Sequence, residues 1–269
     1  MAANWDGLVL NDYEAVMPLT WRQKLGIKYL YQPAFVQQGG IFSNSQLSGE
    51  VTNSFVAEAS KQFSFAEIAL NHANIVMDLP PQFIQHQRNN YILQLENYNI
   101  VSQNYEHGFR KSLRRIEKFN MRYQSSEDYS FVIELFKELY GKRLTSFSSS
   151  DYKNFKSVCA LLQKQDKIIT RIAFDSEQSV LAAMVLLSDG NRLYNLLSCI
   201  TEIGKKFVAN DFLYDKAIEE FSGKDLILDL EGSDVKGIAD YYKKLSPVSQ
   251  PYPFIKYNGL HPIVKLFKK

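Results

Sequence analysis

The sequence has few cysteines, almost no net charge and no long uninterrupted apolar run. Its two cysteines, Cys159 and Cys199, lie far apart, which excludes a disulfide framework and a zinc site of four closely spaced ligands. No window approaches the roughly 18 consecutive apolar residues of a membrane-spanning helix, and the first residues lack a basic stretch followed by an apolar core. We therefore expect a cytoplasmic protein without a membrane span and without a bound metal.

The low net charge excludes partners that bind through non-specific electrostatic attraction. The 269 residues include 31 Lys and Arg against 29 Asp and Glu, a net charge of +2, which is too small to hold nucleic acid or an anionic membrane non-specifically. Any basic binding site must therefore be local. With 45% hydrophobic residues, the chain can build one large core or two ordinary ones.

Two parts of the chain differ in pattern. Up to residue 88, short β candidates are separated by Pro33, by Gly39-Gly40 and by a polar run, and Pro80-Pro81 end regular structure. From residue 89 onward, longer strands and helices alternate, which is typical of an α/β domain. We predict an N-terminal domain of residues 1–88 and a C-terminal domain of residues 89–269, the latter including a last strand at 252–257.

A basic helix face is the first candidate binding feature. Residues 102–119 match a helical period with apolar residues on one face. The opposite face has five cations: Arg110, Lys111, Arg114, Arg115 and Lys118. They either contact phosphates of an RNA or of a nucleotide-linked acceptor, or simply face water.

The candidate catalytic and cofactor-binding residues lie in the region from 193 to 247. A loop with Thr201, Gly204, Lys205 and Lys206 opens a helix predicted over 206–221. Free N–H groups at a helix start can bind a phosphate or pyrophosphate, and Gly204 would let that ligand approach the backbone. The alternative is an ordinary loop, because many helices begin after a glycine and a lysine pair.

Two acids follow at the end of the next strand, which is predicted over 226–230. Asp229 and Glu231 are two residues apart, so strand alternation places them on one face, where either could take a proton from an amine. The alternative is that Glu231 caps the following helix or pairs with a lysine.

Tyr242 is the third candidate. It shares a helical face with Ile238 and Leu245, so simple packing is one interpretation. The other is catalytic, because a phenol of pKa ~10 can protonate a departing thiolate of pKa ~8.5. That chemistry suits acyl transfer from a thioester.

The order strand, loop, helix, strand, helix ending in "YKKL" resembles the cofactor half of the GNAT acyltransferase fold. More specifically, "YLYQPAFVQQGGIFS" (29–43), "RNNYILQL" followed by "FRKSLRRIEKF" (88–119) and "LDLEGSDVKGIADYYKKL" (228–245) resemble the Fem-type branch. Proteins of that branch have two GNAT-like domains in tandem, and some transfer amino acids from aminoacyl-tRNA to cell-wall precursors. The resemblance covers nearly the whole chain. It implies an α/β fold with tandem GNAT-like domains, mixed central sheets flanked by helices, and a partial first copy.

The resemblance also implies an activity, N-acyl transfer by direct attack of a small-molecule or peptide amine in a ternary complex. In that interpretation Glu231 or Asp229 is the base, Tyr242 protonates the leaving group, and backbone N–H groups near Leu197 and Ser198 hold the oxyanion. Thr201, Gly204, Lys205 and Lys206 would bind acyl-CoA, although only Gly204 matches the family's loop pattern. The alternatives are an aminoacyl-tRNA donor, contacted by the basic helix face, and a non-catalytic binding or scaffold protein.

Overall fold

The computed structural model of the chain describes residues 2–260. Its strands are β1 (Asn4–Leu10), β2 (Ala15–Lys24), β3 (Ile27–Leu30), β4 (Phe42–Ser43), β5 (Phe65–Ala69), β6 (Phe83–Arg88), β7 (Tyr91–Leu95), β8 (Arg122–Ser126), β9 (Ile168–Phe174), β10 (Val180–Ser188), β11 (Arg192–Ile200), β12 (Leu226–Asp229), β13 (Val248–Ser249) and β14 (Tyr252–Asn258). Its α-helices are α1 (Gly49–Gln62), α2 (Tyr98–Asn104), α3 (His107–Ile116), α4 (Tyr129–Tyr140), α5 (Ser149–Gln163), α6 (Glu202–Phe207), α7 (Ala209–Phe221) and α8 (Lys236–Tyr242). Across these residues, every helix is too short or too polar to cross a bilayer.

The first of two compact units consists of the chain up to Asn89 together with the segment that begins at Gln250. Its sheet has the strand order β1-β2-β3-β5-β14-β6, with β4 added to β2. Only β3 and β5 are parallel among the pairs described. The Ser48 hydroxyl caps α1, and this helix buries Phe55, Val56 and Ala59 in the core of the unit.

The course of the last strand corrects the predicted domain limits. The sequence pattern assigned everything after residue 88 to the second domain, including the strand near 252–257. In the structure β14 pairs with β5 and with β6, so it belongs to the N-terminal sheet. Strand pairing between residues so far apart in the chain has no local sequence signal, which is why the pattern missed it.

The second unit comprises Asn90–Ser249. Its sheet has the order β13-β7-β12-β11-β10-β9-β8, and within it β11 and β12 form the parallel pair. Residues 181–186 of β10 are all buried, as predicted for a strand covered on both faces. Helices α4 and α7 pack on β9, β10 and β11. The unit is thus a mixed sheet flanked by helices.

Two predicted helices are each interrupted. The helix expected over 102–119 is α2 and α3, separated by extended backbone at Tyr105 and Glu106 and followed by a 3₁₀ turn. The helix expected from Lys206 is α6 and α7, which meet at Val208 with φ of 56°. A β-branched residue rarely adopts that left-handed conformation, so the apolar period of 206–221 did not predict the break.

Candidate functional site

The carboxyl ends of β11 and β12 form an open edge. The parallel pairing runs only from Arg192 opposite Ile227 to Tyr194 opposite Asp229. Strand β11 continues for another six residues to Ile200, whereas β12 ends at Asp229. In α/β sheets, ligands bind outside the carboxyl ends of strands, next to a point where the direction of the pairing changes. Here β12 is parallel to β11 and antiparallel to β7.

A β-bulge shapes β11 at this edge. In the ladder with β10, Asn195 lies opposite Leu186. The next paired residue of β11 is Leu197, opposite Val185, so β11 has one extra residue between them. In a regular strand, residues three apart point to opposite faces. The extra residue reverses the alternation, so the side chains of Asn195 and Ser198 lie on one face of the sheet.

Four polar side chains meet on that face and are called here the hydroxyl network: Asn195, Ser198, Tyr214 and Tyr242. The Asn195 amide Nδ2 donates to the hydroxyl of Tyr214 at 2.6 Å and to that of Tyr242 at 3.0 Å. The two phenol oxygens lie 3.1 Å apart, and Tyr214 donates to the Ser198 Oγ at 2.9 Å. Helix α7 contributes Tyr214 and helix α8 contributes Tyr242.

Ser198 is the accessible end of the hydroxyl network. The other three members are at most 5% exposed, whereas Ser198 is half-buried. The Ser198 hydroxyl accepts from Tyr214, and its own proton has no acceptor in residues 2–260. Burial raises the pKa of both phenols, that of Tyr242 well above its usual range. Both tyrosines therefore stay protonated near neutral pH, and Tyr242 matches a thiolate less well than its sequence suggested.

Glu231 lies beside this network. It is half-buried, and in the described part of the chain its carboxylate has no hydrogen bond or ion pair. Burial and the negative charge of Asp229 raise the pKa of Glu231 to about 8. The charge of Glu231 in turn raises the pKa of Tyr242, which places the two groups within electrostatic range. A carboxylate of this pKa can accept a proton from an amine once the pH is near or above about 8.

Asp229 differs from Glu231 although both were predicted as bases on one strand face. Asp229 is 1% exposed and forms an ion pair with Arg192 at 2.8 Å. Its other oxygen accepts from the Asn90 amide at 2.9 Å and from the Glu231 N–H at 3.1 Å. The strand ends at Asp229, and Glu231 has φ of 40°, so strand alternation does not extend to it. Asp229 thus holds the turn that positions Glu231.

The loop predicted to bind phosphate, from Thr201 to Lys206, makes contacts other than those expected. The Thr201 hydroxyl caps α6 by accepting from the Gly204 N–H at 3.0 Å. A Cβ on Gly204 would overlap the carbonyl oxygen of Leu181 in β10. Gly204 therefore allows α6 to pack closely on the strand, and neither its N–H nor its Cα is open to a ligand. Lys205 pairs with Glu202 at the surface, and Lys206 is exposed.

Replacing Gly204 by alanine is expected to lower the free energy of unfolding by about 1–3 kcal/mol, because the new methyl group has to displace β10 backbone. A urea titration measures this. Gly237→Ala in α8 is the matched control: its Cβ would meet no atom within 4 Å, and it should leave stability unchanged or raise it by up to about 1 kcal/mol. Unchanged stability of Gly204→Ala with weaker donor binding would restore the ligand-approach interpretation.

Sequence reasoning missed two members of the site, Asn195 and Tyr214. Asn195 is a buried polar residue of β11, a strand in which leucines predominate, and Tyr214 looks like part of the buried stripe of α7. The only available signal for Asn195 was that a polar side chain occurs in a strand whose other residues are mostly apolar. Of the predicted residues, the structure brings Ser198, Glu231 and Tyr242 together and gives Gly204, Lys205 and Lys206 contacts of another kind.

The sequence matches no protein-family model and no curated protein. Its structure is similar to solved ones. FemX has a TM-score of 0.62 and 13% identity, with 98% of this chain and 91% of that chain covered. A conserved protein of unknown function from Bacteroides thetaiotaomicron VPI-5482 has a TM-score of 0.60 and 10% identity, covering 94% and 85%. L-PGS from Bacillus licheniformis has a TM-score of 0.52 and 12% identity, covering 98% and 87%.

These likenesses concern the fold, because the identities are low. They confirm the predicted α/β architecture, in which mixed sheets are flanked by helices.

Proposed function

We propose that this protein transfers an acyl or aminoacyl group to an amine at the open edge of β11 and β12, with Glu231 as the general base. The observation that supports this most is the state of Glu231: a half-buried carboxylate with a pKa of about 8 and no partner among residues 2–260. It lies at the strand ends where α/β folds bind ligands. Titratable groups perturbed by burial and a like charge are typical of catalytic sites.

The first step moves one proton and forms one bond. Glu231 takes one proton from the neutral acceptor amine as the nitrogen lone pair attacks the carbonyl carbon of the donor. The carbonyl oxygen becomes an oxyanion. When the tetrahedral intermediate collapses, the bond to the leaving group breaks and the amide remains.

The Ser198 N–H is the candidate donor to that oxyanion. The Thr201 N–H bonds to the Leu181 carbonyl of β10 at 2.9 Å, whereas the Ile200 N–H bonds to the Tyr140 hydroxyl at 3.2 Å. Consecutive N–H groups of a strand point to opposite edges. The Ser198 N–H, two residues before Ile200, therefore points away from β10.

By the same alternation, the N–H of Leu197, the second predicted oxyanion donor, points toward β10. Removing one such donor costs about 2.7–4 kcal/mol of transition-state stabilisation in a well-studied protease.

Aminoacyl-tRNA is the donor we favour within this proposal, as in the Fem-type branch. Acyl-CoA is the other donor considered, but the loop from Thr201 to Lys206 does not fit its pyrophosphate, because the Gly204 N–H and Cα are already engaged. The five cations of the basic helix face are all exposed and form no ion pair within residues 2–260. Arg110 donates to the Gln103 carbonyl at 2.9 Å, which orients it along α3.

A charge-removal variant tests the basic helix face. Replacing Arg110, Arg114 and Arg115 together by glutamine should weaken binding of charged tRNA, because a phosphate that no longer meets an arginine keeps its counterions on binding. The slope of log affinity against log salt should become shallower by about 0.9 for each duplex phosphate that the variant leaves unneutralised. Filter binding at several salt concentrations measures both.

The matched control removes three exposed lysines of α5 and the turn after it: Lys153, Lys164 and Lys167. Replaced by glutamine, they should change neither affinity nor slope beyond the small effect of net charge. Equal losses of affinity for the two triple variants would contradict a tRNA site on α3.

A transfer assay tests the proposed function. The purified chain is incubated with radiolabelled aminoacyl-tRNA or acetyl-CoA and a panel of peptide, amino-sugar and aminolipid amines. Stable amide product that requires the protein supports the proposal, and the donor that yields it identifies the donor class. Donor binding without transfer to any amine would favour the non-catalytic binding or scaffold alternative.

A further inference from the structure

We propose that the Ser198 hydroxyl is the group that protonates the leaving atom of the donor, and that it recovers its proton from Tyr242 through Tyr214. The inference rests on the proposed function and deepens it, because it specifies an oxygen ester as the donor class. It also changes the part that the sequence suggested for Tyr242, from direct proton donor to a positioning residue that acts through its neighbours.

The hydrogen bonds of the hydroxyl network determine the direction in which its protons are donated. The Asn195 amide donates to the two phenol oxygens at 2.6 and 3.0 Å, and the Leu230 carbonyl lies at the longer distance of 3.5 Å. Each phenol then has one hydrogen to give. Tyr214 gives its hydrogen to Ser198, so the 3.1 Å contact between the phenols is a bond from Tyr242 to Tyr214. The chain of donors therefore runs from Tyr242 to Tyr214 to Ser198, and Ser198 ends it with a hydrogen that has no acceptor in the described chain.

Ser198 is the member of the hydroxyl network that a substrate can reach, because of its position in β11. Tyr214 is 1% exposed and Tyr242 5% exposed, whereas Ser198 is half-buried in the part of β11 beyond its pairing with β12. Its N–H points to the same open edge. One residue can thus hold the oxyanion with its backbone and meet the leaving atom with its side chain.

The proton balance closes within the site. As the carbon–oxygen bond to the leaving group breaks, the Ser198 O–H bond breaks and a leaving-group O–H bond forms. Tyr214 then gives its proton to Ser198, and Tyr242 gives its proton to Tyr214. The proton that Glu231 took from the amine returns to Tyr242 through a water molecule, since the two side chains share no hydrogen bond within residues 2–260. Burial raises the pKa of both phenols, which disfavours a free phenolate in the relay.

An alkoxide needs this proton far more than a thiolate or an activated phenolate does, because it is the most basic of these leaving groups. The relay therefore predicts an effect that depends on the leaving group. A residue with a purely structural role would slow all donors by the same factor.

The experiment measures kcat/KM for aminoacyl transfer from three alanine esters: ethyl, trifluoroethyl and p-nitrophenyl. Ser198→Ala should lose on the order of 10²-fold or more with the ethyl ester and only a few-fold with the p-nitrophenyl ester. Tyr214→Phe should show the same trend, more weakly. Ser198→Thr, which keeps a hydroxyl, should recover much of the ethyl-ester activity.

Tyr241→Phe is the matched control. The Tyr241 ring packs against Tyr214 and Tyr242 with centroids 5.6 and 5.8 Å away, but its buried hydroxyl takes no part in the hydroxyl network. Its removal should not change the dependence on the leaving group. Equal losses of Ser198→Ala on all three esters, with the wild type active, would overturn the relay alone. A wild type that transfers from none of the esters or from charged tRNA would overturn the relay together with the proposed function.

Discussion

Replacing Glu231 by glutamine is expected to lower kcat/KM for acyl transfer by about 10²–10⁴-fold, the usual contribution of a general base. Glutamine keeps the shape of the side chain but cannot accept the proton of the amine. Donor binding should change little, because the Glu231 carboxylate makes no hydrogen bond within residues 2–260. Initial rates at several donor concentrations separate the two quantities.

The pH profile provides a second readout of the same variant. The pKa of Glu231 is about 8, so below that pH the group is protonated and cannot act as a base. Wild-type kcat/KM should therefore rise with pH and level off above about pH 8. The residual activity of Glu231→Gln should lack this rise. A wild-type profile that is flat between pH 6 and pH 9, roughly, would contradict the role of Glu231.

The same shift predicts a change in stability. The pKa of Glu231 rises on folding from 4.5 to about 8, so between these values the folded state binds more protons than the unfolded state. The free energy of unfolding therefore falls as pH rises through this range. Glu231→Gln removes that fall, so its stability relative to wild type should be greater at pH 9 than at pH 5, roughly. Glu177→Gln, at an exposed acid of the β9–β10 turn, is the control and should show no such trend.

Replacing Arg192 by methionine is expected to lower the free energy of unfolding by about 3–5 kcal/mol, the cost of leaving one member of a buried ion pair uncompensated. The Arg192 and Asp229 side chains are 10% and 1% exposed, and their charged atoms are 2.8 Å apart. The double variant Arg192→Met with Asp229→Asn should recover part of this loss, because no buried charge then remains. Urea titrations of the wild type, the single variant and the double variant measure the effect.

An exposed pair in the same unit provides the control. Lys216 pairs with Glu219 at 2.6 Å on α7, with side chains 40% and 45% exposed. Lys216→Met should change stability by no more than about 0.5 kcal/mol, because solvent screens such pairs. A loss of stability at Arg192 as small as that at Lys216 would contradict the view that Asp229 is held by a buried ion pair.

Much of the architecture could be read from local patterns. The hydrophobic period predicted α7, the uniformly apolar run predicted β10 as a strand covered on both faces, and the order of elements from 193 to 247 resembled a GNAT-like half. These predictions succeed because the burial of one face or of both faces of an element produces a repeating pattern of apolar residues over a short stretch of sequence. The same approach did not predict the break in the helix at Val208, because nothing in the local hydrophobic period requires it.

The candidate site was only partly predictable. The sequence named Glu231, Tyr242 and the backbone of Ser198 as candidates, but it did not name Asn195 or Tyr214. A bulge in β11 brings Asn195 and Ser198 to one face, and bulges depend on the partner strand. The close contact of Gly204 with β10 was not predicted, because the carbonyl group that lies against it belongs to Leu181, which only the folded chain brings there.

By itself, the sequence determined most of the secondary-structure elements, the fold class and part of the list of groups able to transfer protons. Only the tertiary structure decided which of two neighbouring acids has bonding partners. Asp229 finds partners 37 and 139 residues away in the chain, Arg192 and Asn90, whereas the carboxylate of Glu231 finds none within residues 2–260. The two carboxylates have similar chemistry in solution, and their difference comes from burial and from charges that folding brings together.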